Sequence, residues 1–585
     1  MTRLSSLRSA LDRKGYREVA VQEWRSSVVL EGSLPSWNDR VAAGFVAAGF
    51  KYKGVVNDIE VPGIAKDRWS EPSLRDGTLE GARFDVVIIG GGIIGASIAR
   101  ELTRYDLSVA LLEKQSDLAM HTSGRNDGMI HDGFGARPGT LKARYNVRGN
   151  RLWTEDAREL GIELKRPGSL ILFPSPAAHL LRPLISKRAR AIGVDGWEFW
   201  SREKVAREEP ELIREQHGAM FLPSAGVVSP YKAVIAYAES AVLNGARVSL
   251  DTLVSGFDQE QESGRTRIAR VRTNRGTCFA RVVVNAAGNW ADVVAGLADD
   301  RFFSLHPRRG TDAILDHSTG AFLRHIVSKP SFLQGRSRTK GGGLVKTVEG
   351  NVLVGPTARE LPGREDYATT RDELEELNRH IRLNTRLSPS QIITYFAGVR
   401  PCTWEEDFIV ERSQHVANLV HAAGIQSPGL ASAPAIARDV AALCVDVLSE
   451  TRQVRPNPRF EPRRQCPTSL GHLSLEERSA IIAANPAYGR VVCRCEQISE
   501  GEILDALRSP IPVSSLDSMK RRTRAGMGRC HGGFCTPKVM EIIARERGIP
   551  LEEVTKKGEG SRLLKQPEDS ADAPAKSARG EEVSS

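Results

Sequence analysis

The chain has 585 residues and a net charge of +10, with 40% hydrophobic and 26% charged residues. At roughly 100–200 residues per domain, that length allows about three to five domains, and the composition is that of a soluble globular protein. The positive balance suits anionic substrates, phosphates, membrane surfaces or nucleic acid, but the arginines run along the whole chain without a helix-turn-helix, zinc-finger or RNP pattern, which argues against a nucleic-acid partner. No stretch approaches the ~18 uninterrupted apolar residues of a membrane helix, and no apolar secretion segment follows Met1. A cytoplasmic protein is expected, with peripheral attachment to the inner face of the cell membrane left open. Of the eight cysteines, Cys278, Cys402, Cys444 and Cys466 are scattered; the other four cluster between Cys493 and Cys535.

Residues 1–63 read as a small α+β unit: a helix from Leu7 to Lys14, a strand Ser27–Gly32, a helix Trp37–Phe50 and a strand Val55–Val61. Strand, Gly-Ser, helix, then Gly54-Val55-Val56-Asn57-Asp58-Ile59 resembles a BON domain, a resemblance that implies attachment to a membrane or partner; an adaptor without a ligand fits equally. Residues 64–83 are polar and read as a linker. From 84 to 454, strand and helix patterns alternate, which predicts an α/β domain. A connector (455–487), a compact cysteine domain (488–550) and a charged, aromatic-free tail (551–585), expected to be disordered, complete the chain.

The run Phe84-Asp85-Val86-Val87-Ile88-Ile89 predicts a buried strand feeding Gly90-Gly91-Gly92-Ile93-Ile94-Gly95 and a helix. A second strand, Val109–Leu112, ends at Glu113. Gly90 permits the tight turn, Gly92 lets the backbone approach a pyrophosphate, and Gly95 lets helix and strand pack closely. The helix N-terminus offers free N–H groups to phosphate, and Glu113 can accept from ribose hydroxyls. Strand, turn, helix, second strand and acid in this order make a dinucleotide site.

Next comes a polar segment, His121-Thr122-Ser123-Gly124-Arg125-Asn126-Asp127-Gly128-Met129-Ile130-His131. With it the chain resembles the D-amino-acid-oxidase-like flavoproteins, and within them the large subunit of anaerobic glycerol-3-phosphate dehydrogenase. Pro138-Gly139-Thr140-Leu141-Lys142-Ala143 is similar to a segment of L-2-hydroxyglutarate oxidases. The resemblance continues through Val284-Asn285-Ala286-Ala287-Gly288, Gly398-Val399-Arg400-Pro401 and Ala423-Gly424-Ile425-Gln426-Ser427-Pro428-Gly429-Leu430. It implies a Rossmann-like FAD-binding domain with a substrate-binding β-sheet subdomain. FAD would contact Gly90, Gly92, Gly95, Glu113, Ser123, Arg125, Asn126, Gly128, Gly288, Gly424, Gln426, Ser427, Gly429 and Leu430. It further implies Arg400 as the anchor of an anionic substrate, since a guanidinium fork bonds carboxylate or phosphate bidentately. Lys340 is a second anion contact, and His131 is a candidate base or orienting group beside the flavin.

Cys493-Arg494-Cys495 and Cys530-His531-Gly532-Gly533-Phe534-Cys535 supply four thiolates from two loops, as a [2Fe–2S] cluster requires; structural zinc is the rival. Ser499-Glu500-Gly501-Glu502 reads as a capping box between them. The segment resembles the bacterioferritin-associated-ferredoxin-like domain, and Arg521-Arg522-Thr523-Arg524-Ala525-Gly526-Met527-Gly528 matches the fused form in anaerobic glycerol-3-phosphate dehydrogenase. Together these imply a dehydrogenase oxidising sn-glycerol 3-phosphate, with electrons leaving through the cluster to a partner subunit or quinone, in a homo- or hetero-oligomer. Alternatives are a 2-hydroxy-acid dehydrogenase such as one for L-2-hydroxyglutarate, an amine or amino-acid dehydrogenase and, from another class, an FAD-binding redox sensor or scaffold.

Overall fold

The computed structural model describes residues 2–262, 264–329 and 342–565. They form two compact units that divide after Cys466.

In the first unit, the N-terminal segment builds a three-stranded sheet covered by helices Arg3–Arg13 and Trp37–Ala48. Strands Ser27–Glu31 and Val55–Asn57 run parallel, and Ala20–Trp24 pairs antiparallel with the former. This edge strand has no fully buried residue, so it carried little sequence signal. Leu7, Leu11, Val28, Leu30 and Val55 close a core that also takes in Trp404 from the middle of the chain. The Phe45 ring meets Trp404 edge-on at 5.4 Å, the Asn57 N–H donates to Ser304 Oγ at 2.9 Å, and Arg301 grips Asp58 through two bonds of 2.7 and 2.9 Å. The segment is therefore built into its neighbour rather than tethered to it.

The cofactor-side sheet carries parallel strands in the order Arg247–Ser249, Val109–Leu112, Arg83–Ile89, Gly276–Asn285 and Leu419–Ala423. Val86, Val87 and Ile88 are fully buried, as expected where helices cover both faces of a parallel sheet. Helix Ile93–Leu102 is buried along its whole length between helices Pro230–Leu243 and Gly429–Ser449.

A second, nine-stranded sheet rests on the long antiparallel pair Leu305–Leu315 and Ile392–Thr403. Their register sets Arg308 opposite Arg400 and Gly310 opposite Gly398. The hairpin Gly343–Lys346 and Val352–Gly355 belongs to this sheet; Lys340 lies outside the described residues.

The second unit has a short hairpin, Val491–Cys493 with Ile498–Ser499, and helices Leu475–Ala484, Glu500–Leu507, Leu516–Thr523 and Thr536–Arg547. The capping box forms as expected: Ser499 Oγ accepts from Glu502 N while the Glu502 carboxylate accepts from Ser499 N. Residues 551–565, expected in the disordered tail, instead fold back. Val554 is buried, and Leu516 and Asp517 donate main-chain bonds to Thr555 and Lys556.

Candidate active site and cluster site

Strand Arg83–Ile89 delivers the glycine turn to one end of the parallel sheet. Gly90 has φ +111°, a conformation that favours glycine, and a Cβ there would stand 2.4 Å from the carbonyl oxygen of Ala286. A Cβ on Gly95 would lie 2.0 Å from the carbonyl oxygen of Gly90, so helix and strand approach as closely as backbone allows. Gly90, Gly92, Glu113, Ser123 and Gly288 line one cavity with Trp69, Asn289 and Trp290. A Cβ on Gly92 would come within 2.9 Å of Ser123 Oγ, which accepts from the Ile93 N–H at the helix N-terminus. Glu113 accepts from Gly91 N at 2.7 Å and Gln115 N at 2.8 Å; burial raises its pKa. Two buried atoms of this wall, Asn289 Oδ1 and His121 Nε2, have no hydrogen-bond partner among the described residues.

A contiguous cavity is lined by Arg125, Asn126, Gln426, Ser427, Gly429 and Leu430. Asn126 donates to Thr122 and Ser123 carbonyls and accepts from Gly128 N at 2.9 Å, while Arg125 donates to the Met120 carbonyl and stacks over Tyr367 at 4.2 Å. Both side chains thus shape the loop. Gly128 and Gly424, expected as cofactor contacts, take positive φ but do not themselves line this cavity; their neighbours Asp127, Met129 and Ile425 do. Backbone N–H groups, glycine surfaces and orphaned polar atoms are what a dinucleotide with a flat ring system needs, and FAD fits.

Beyond it opens a cavity of about 570 Å³, lined by His131, Lys142, Arg188, Arg308, Arg400 and Glu405 among others. Arg400 donates from both Nη1 and Nη2 to the Thr357 carbonyl at 3.3 Å, and among the described residues it forms no ion pair. Arg188, on helix Arg182–Ile192, donates to the carbonyls of Phe134 and Ala136, and burial lowers its pKa. Arg308 is different: it is bound by Glu360 and Glu406. Burial alone would push Glu406 up, but Arg308 and Lys142 outweigh it and hold its carboxyl down at about 2. Glu406 in turn accepts from Gln426 Nε2 at 2.9 Å, and Cys402 donates to Gln426 Oε1 at 3.0 Å. The neighbouring Glu405 is pushed up to about 7 by burial, although its carboxyl takes the Val55 N–H of the N-terminal segment.

In the second unit, Cys495 Sγ lies 3.4 Å from Cys530 Sγ, and Cys493 shares a hydrogen bond with Cys535. Among the described residues, no group of three or more His, Cys, Asp or Glu gathers around a single ion. Two thiol pairs suit a two-iron cluster better than one tetrahedral zinc. The Cys535 contact, with N–H groups of Gly526 and Glu496, holds the Cys493 thiol down at about 6. Gly532 and Phe534 turn their N–H groups to Cys530.

Residues 85–443, more than half of the chain, match the FAD dependent oxidoreductase family, and residues 491–545 match the BFD-like [2Fe-2S] binding domain. The chain belongs to the FAD-dependent oxidoreductases. It is 37% identical to a glycerol 3-phosphate dehydrogenase of Caloramator mitchellensis over 83% of this chain and 98% of that one. Identity to one of the subunits of the anaerobic glycerol-3-phosphate dehydrogenase of Escherichia coli is 28%, over 80% and 89% of the two chains. The FAD-bound L-α-glycerophosphate oxidase of Mycoplasma pneumoniae superimposes with a TM-score of 0.60 at 27% identity, over 66% of this chain and all of that one. Among the lining residues of this oxidoreductase that its sequence did not single out are Trp69, Asp127, Arg188 and Asp312. Asp127 stood inside the Gly-Arg-Asn-x-Gly signature; Arg188 and Asp312 lie in ordinary helix and strand patterns that carried no signal.

Proposed function

We propose that the protein is an FAD- and [2Fe–2S]-dependent dehydrogenase of sn-glycerol 3-phosphate, forming dihydroxyacetone phosphate. The observation that carries the reading is the guanidinium of Arg400, outside any ion pair among the described residues, which lines both the cofactor cavity and the substrate cavity. A small dianion entering there meets a fork that no carboxylate already holds, in a chain most of whose length parallels glycerol 3-phosphate dehydrogenase. Bound FAD supplies the two-electron acceptor. Arg400 orients the anionic end so that the carbinol carbon faces the cofactor, Arg188 adds positive charge to the cavity lining, and the Arg308–Glu406–Gln426 chain fixes the segment that closes the cofactor site. The thiol pairs 493/535 and 495/530 would hold the cluster, from which electrons pass singly to a partner subunit or quinone, with peripheral membrane association at that step.

A second reading, a 2-hydroxy acid such as L-2-hydroxyglutarate, is favoured by the segment 138–143, whose Thr140 and Lys142 line the substrate cavity. The two are separated by anaerobic assay of a quinone analogue with each substrate, together with metal analysis. Glycerol 3-phosphate should drive reduction and yield dihydroxyacetone phosphate, in protein holding about two irons with inorganic sulfide. Faster reduction by L-2-hydroxyglutarate, or zinc without sulfide, would overturn the corresponding half of the proposal.

A further inference from the structure

Four consecutive residues, Trp404 to Asp407, leave strand Ile392–Thr403 and turn the chain towards strand Ile409–Arg412. Glu406 takes φ +58° in this turn, a left-handed conformation that a non-glycine residue keeps only where its surroundings over-determine it. The four side chains are held from two directions.

Trp404 and Glu405 are held by the N-terminal unit. The indole is 3% exposed and belongs to that unit's core. A Cβ added to Gly44, on helix Trp37–Ala48, would come within 2.5 Å of it, so no slack separates helix from ring. Trp404 Nε1 donates to Ser304 Oγ at 3.0 Å, the same oxygen that accepts from Asn57 N. The Glu405 carboxyl takes the Val55 N–H and lines the substrate cavity. Glu406 and Asp407 instead hold parts of the active site. Glu406 pairs with Arg308 and accepts from Gln426 Nε2, and Gln426 lines both cavities. The Asp407 carboxylate accepts from Leu141 N and Lys142 N, each at 2.9 Å. It thereby fixes the start of helix Leu141–Leu160, whose Lys142 lines the substrate cavity.

We propose that the N-terminal unit is a brace for the active site, with Trp404 and Glu405 as positioning residues through which it sets Gln426 against the cofactor and Lys142 against the substrate. A close-packed interior transmits strain rather than absorbing it, so a shift of the indole reaches Glu406 and Asp407 along the turn. The unit lies outside the region matched by the FAD dependent oxidoreductase family, so it adds to that fold a constraint on a site the family region builds. Arg400 stands before the turn, on a strand held by its pairing with Leu305–Leu315. Loosening the brace therefore costs reaction rate more than substrate affinity.

The test compares holoenzymes: wild type, Gly44→Ala, which drives a methyl group against the indole, and the milder Phe45→Ala, which removes the ring that meets Trp404 edge-on at 5.4 Å. Both positions lie in the N-terminal unit and line neither cavity. Amide hydrogen exchange, which reports local opening, should quicken within residues 1–63 and also at 425–430 and at Leu141 and Lys142. Anaerobic bleaching of the flavin by glycerol 3-phosphate should slow by roughly tenfold or more, towards the hundredfold that about 1 Å of misplacement can cost. Affinity for glycerol 3-phosphate, from perturbation of the flavin spectrum, should stay within about threefold, since an interaction lost only from the reaction step lowers rate without raising KM. Phe45→Leu, which keeps apolar bulk against the indole, should recover most of the rate. The rate measurement rests on the glycerol 3-phosphate reading, whereas the exchange measurement does not. If glycerol 3-phosphate leaves the wild-type flavin unbleached, that reading fails and exchange alone decides the brace. Quickened exchange confined to residues 1–63, or bleaching within about threefold of wild type in variants whose N-terminal unit has loosened, would overturn the proposal and leave the unit as an attachment module.

Discussion

The cofactor cavity and the substrate cavity share a wall but are made of different material. The first is built around glycines and close main-chain approach: the Gly90–Gly92 turn, the start of helix Ile93–Leu102, Gly288 and the Gln426–Gly429 segment. The second is lined by charged side chains from segments far apart in sequence, among them Lys142, Arg188, Arg308, Arg400 and Glu405. A nucleotide is held by N–H groups and close backbone approach, which any sequence of suitable glycines supplies. A small anion is held by forks and ion pairs, whose effect depends on which of them remain unpaired. The cofactor site should therefore tolerate side-chain truncation but not an added Cβ, and the substrate site the reverse.

The largest effect expected from that contrast is at Gly92. Gly92→Val places branched carbon where the backbone meets Ser123 Oγ, so the protein should purify without flavin while keeping its circular dichroism. Full FAD occupancy would break the contrast at its strongest point. Next is Arg400→Ala, which should retain FAD yet lose about 1.5–3 kcal/mol of interaction with the substrate anion, a roughly ten- to hundredfold fall in kcat/KM. Arg400→Lys keeps the charge without the fork and should also be impaired; a silent Arg400→Ala would leave Arg188 and Lys340 to be tried.

Glu406 tests the ionic network through pH. Its carboxyl is held at about 2 against an ordinary 4.5, so the folded state binds its proton more weakly than the unfolded state. The resulting stabilisation is fully present above about pH 4.5 and fades as pH falls towards 2. It amounts to about 3 kcal/mol as an order of magnitude. Melting temperature followed across that range should drop less steeply for Glu406→Gln than for wild type, and parallel curves would show that the pair adds nothing. The smallest effect belongs to Trp69, a side chain on the cofactor wall that meets the Trp290 ring at 5.6 Å. Trp69→Ala should weaken FAD binding by about 0.5–1.5 kcal/mol, a two- to tenfold change in Kd by fluorescence titration. Loss of the cofactor would mean that side chains matter more there than the main chain does.

The same contrast explains what could be read from the sequence. The run Val86–Ile89, the glycine turn and the strand ending at Leu112 are local signals, and they fall in the structure where periodicity and turn chemistry set them. The motifs Cys493–Cys495 and Cys530–Cys535 are equally local, although the thiols pair across them, 493 with 535 and 495 with 530. The setting of Arg308 opposite Arg400 comes from the register of two strands that are distant in the chain, and no window of sequence contains it. Residues 64–83 read as a spacer because they are polar, yet Trp69 reaches the cofactor wall. The N-terminal segment read as a separate BON-like or adaptor unit because the ring it packs on, Trp404, lies hundreds of residues away. Asp312 lies in a buried strand between Thr311 and Ala313, and only its partnerless Oδ1 and its cavity mark it out.

The most direct measurement is rapid-mixing absorbance of the flavin band under anaerobic conditions, with glycerol 3-phosphate, L-2-hydroxyglutarate and uncharged glycerol compared in wild type and Arg400→Ala. The account predicts that glycerol 3-phosphate bleaches the wild-type flavin fastest, that glycerol is slower by at least the tenfold that Arg400→Ala costs the phosphate ester, and that glycerol itself is little affected by the substitution. Bleaching by glycerol as fast as by glycerol 3-phosphate, or an equal loss for both in Arg400→Ala, would contradict it.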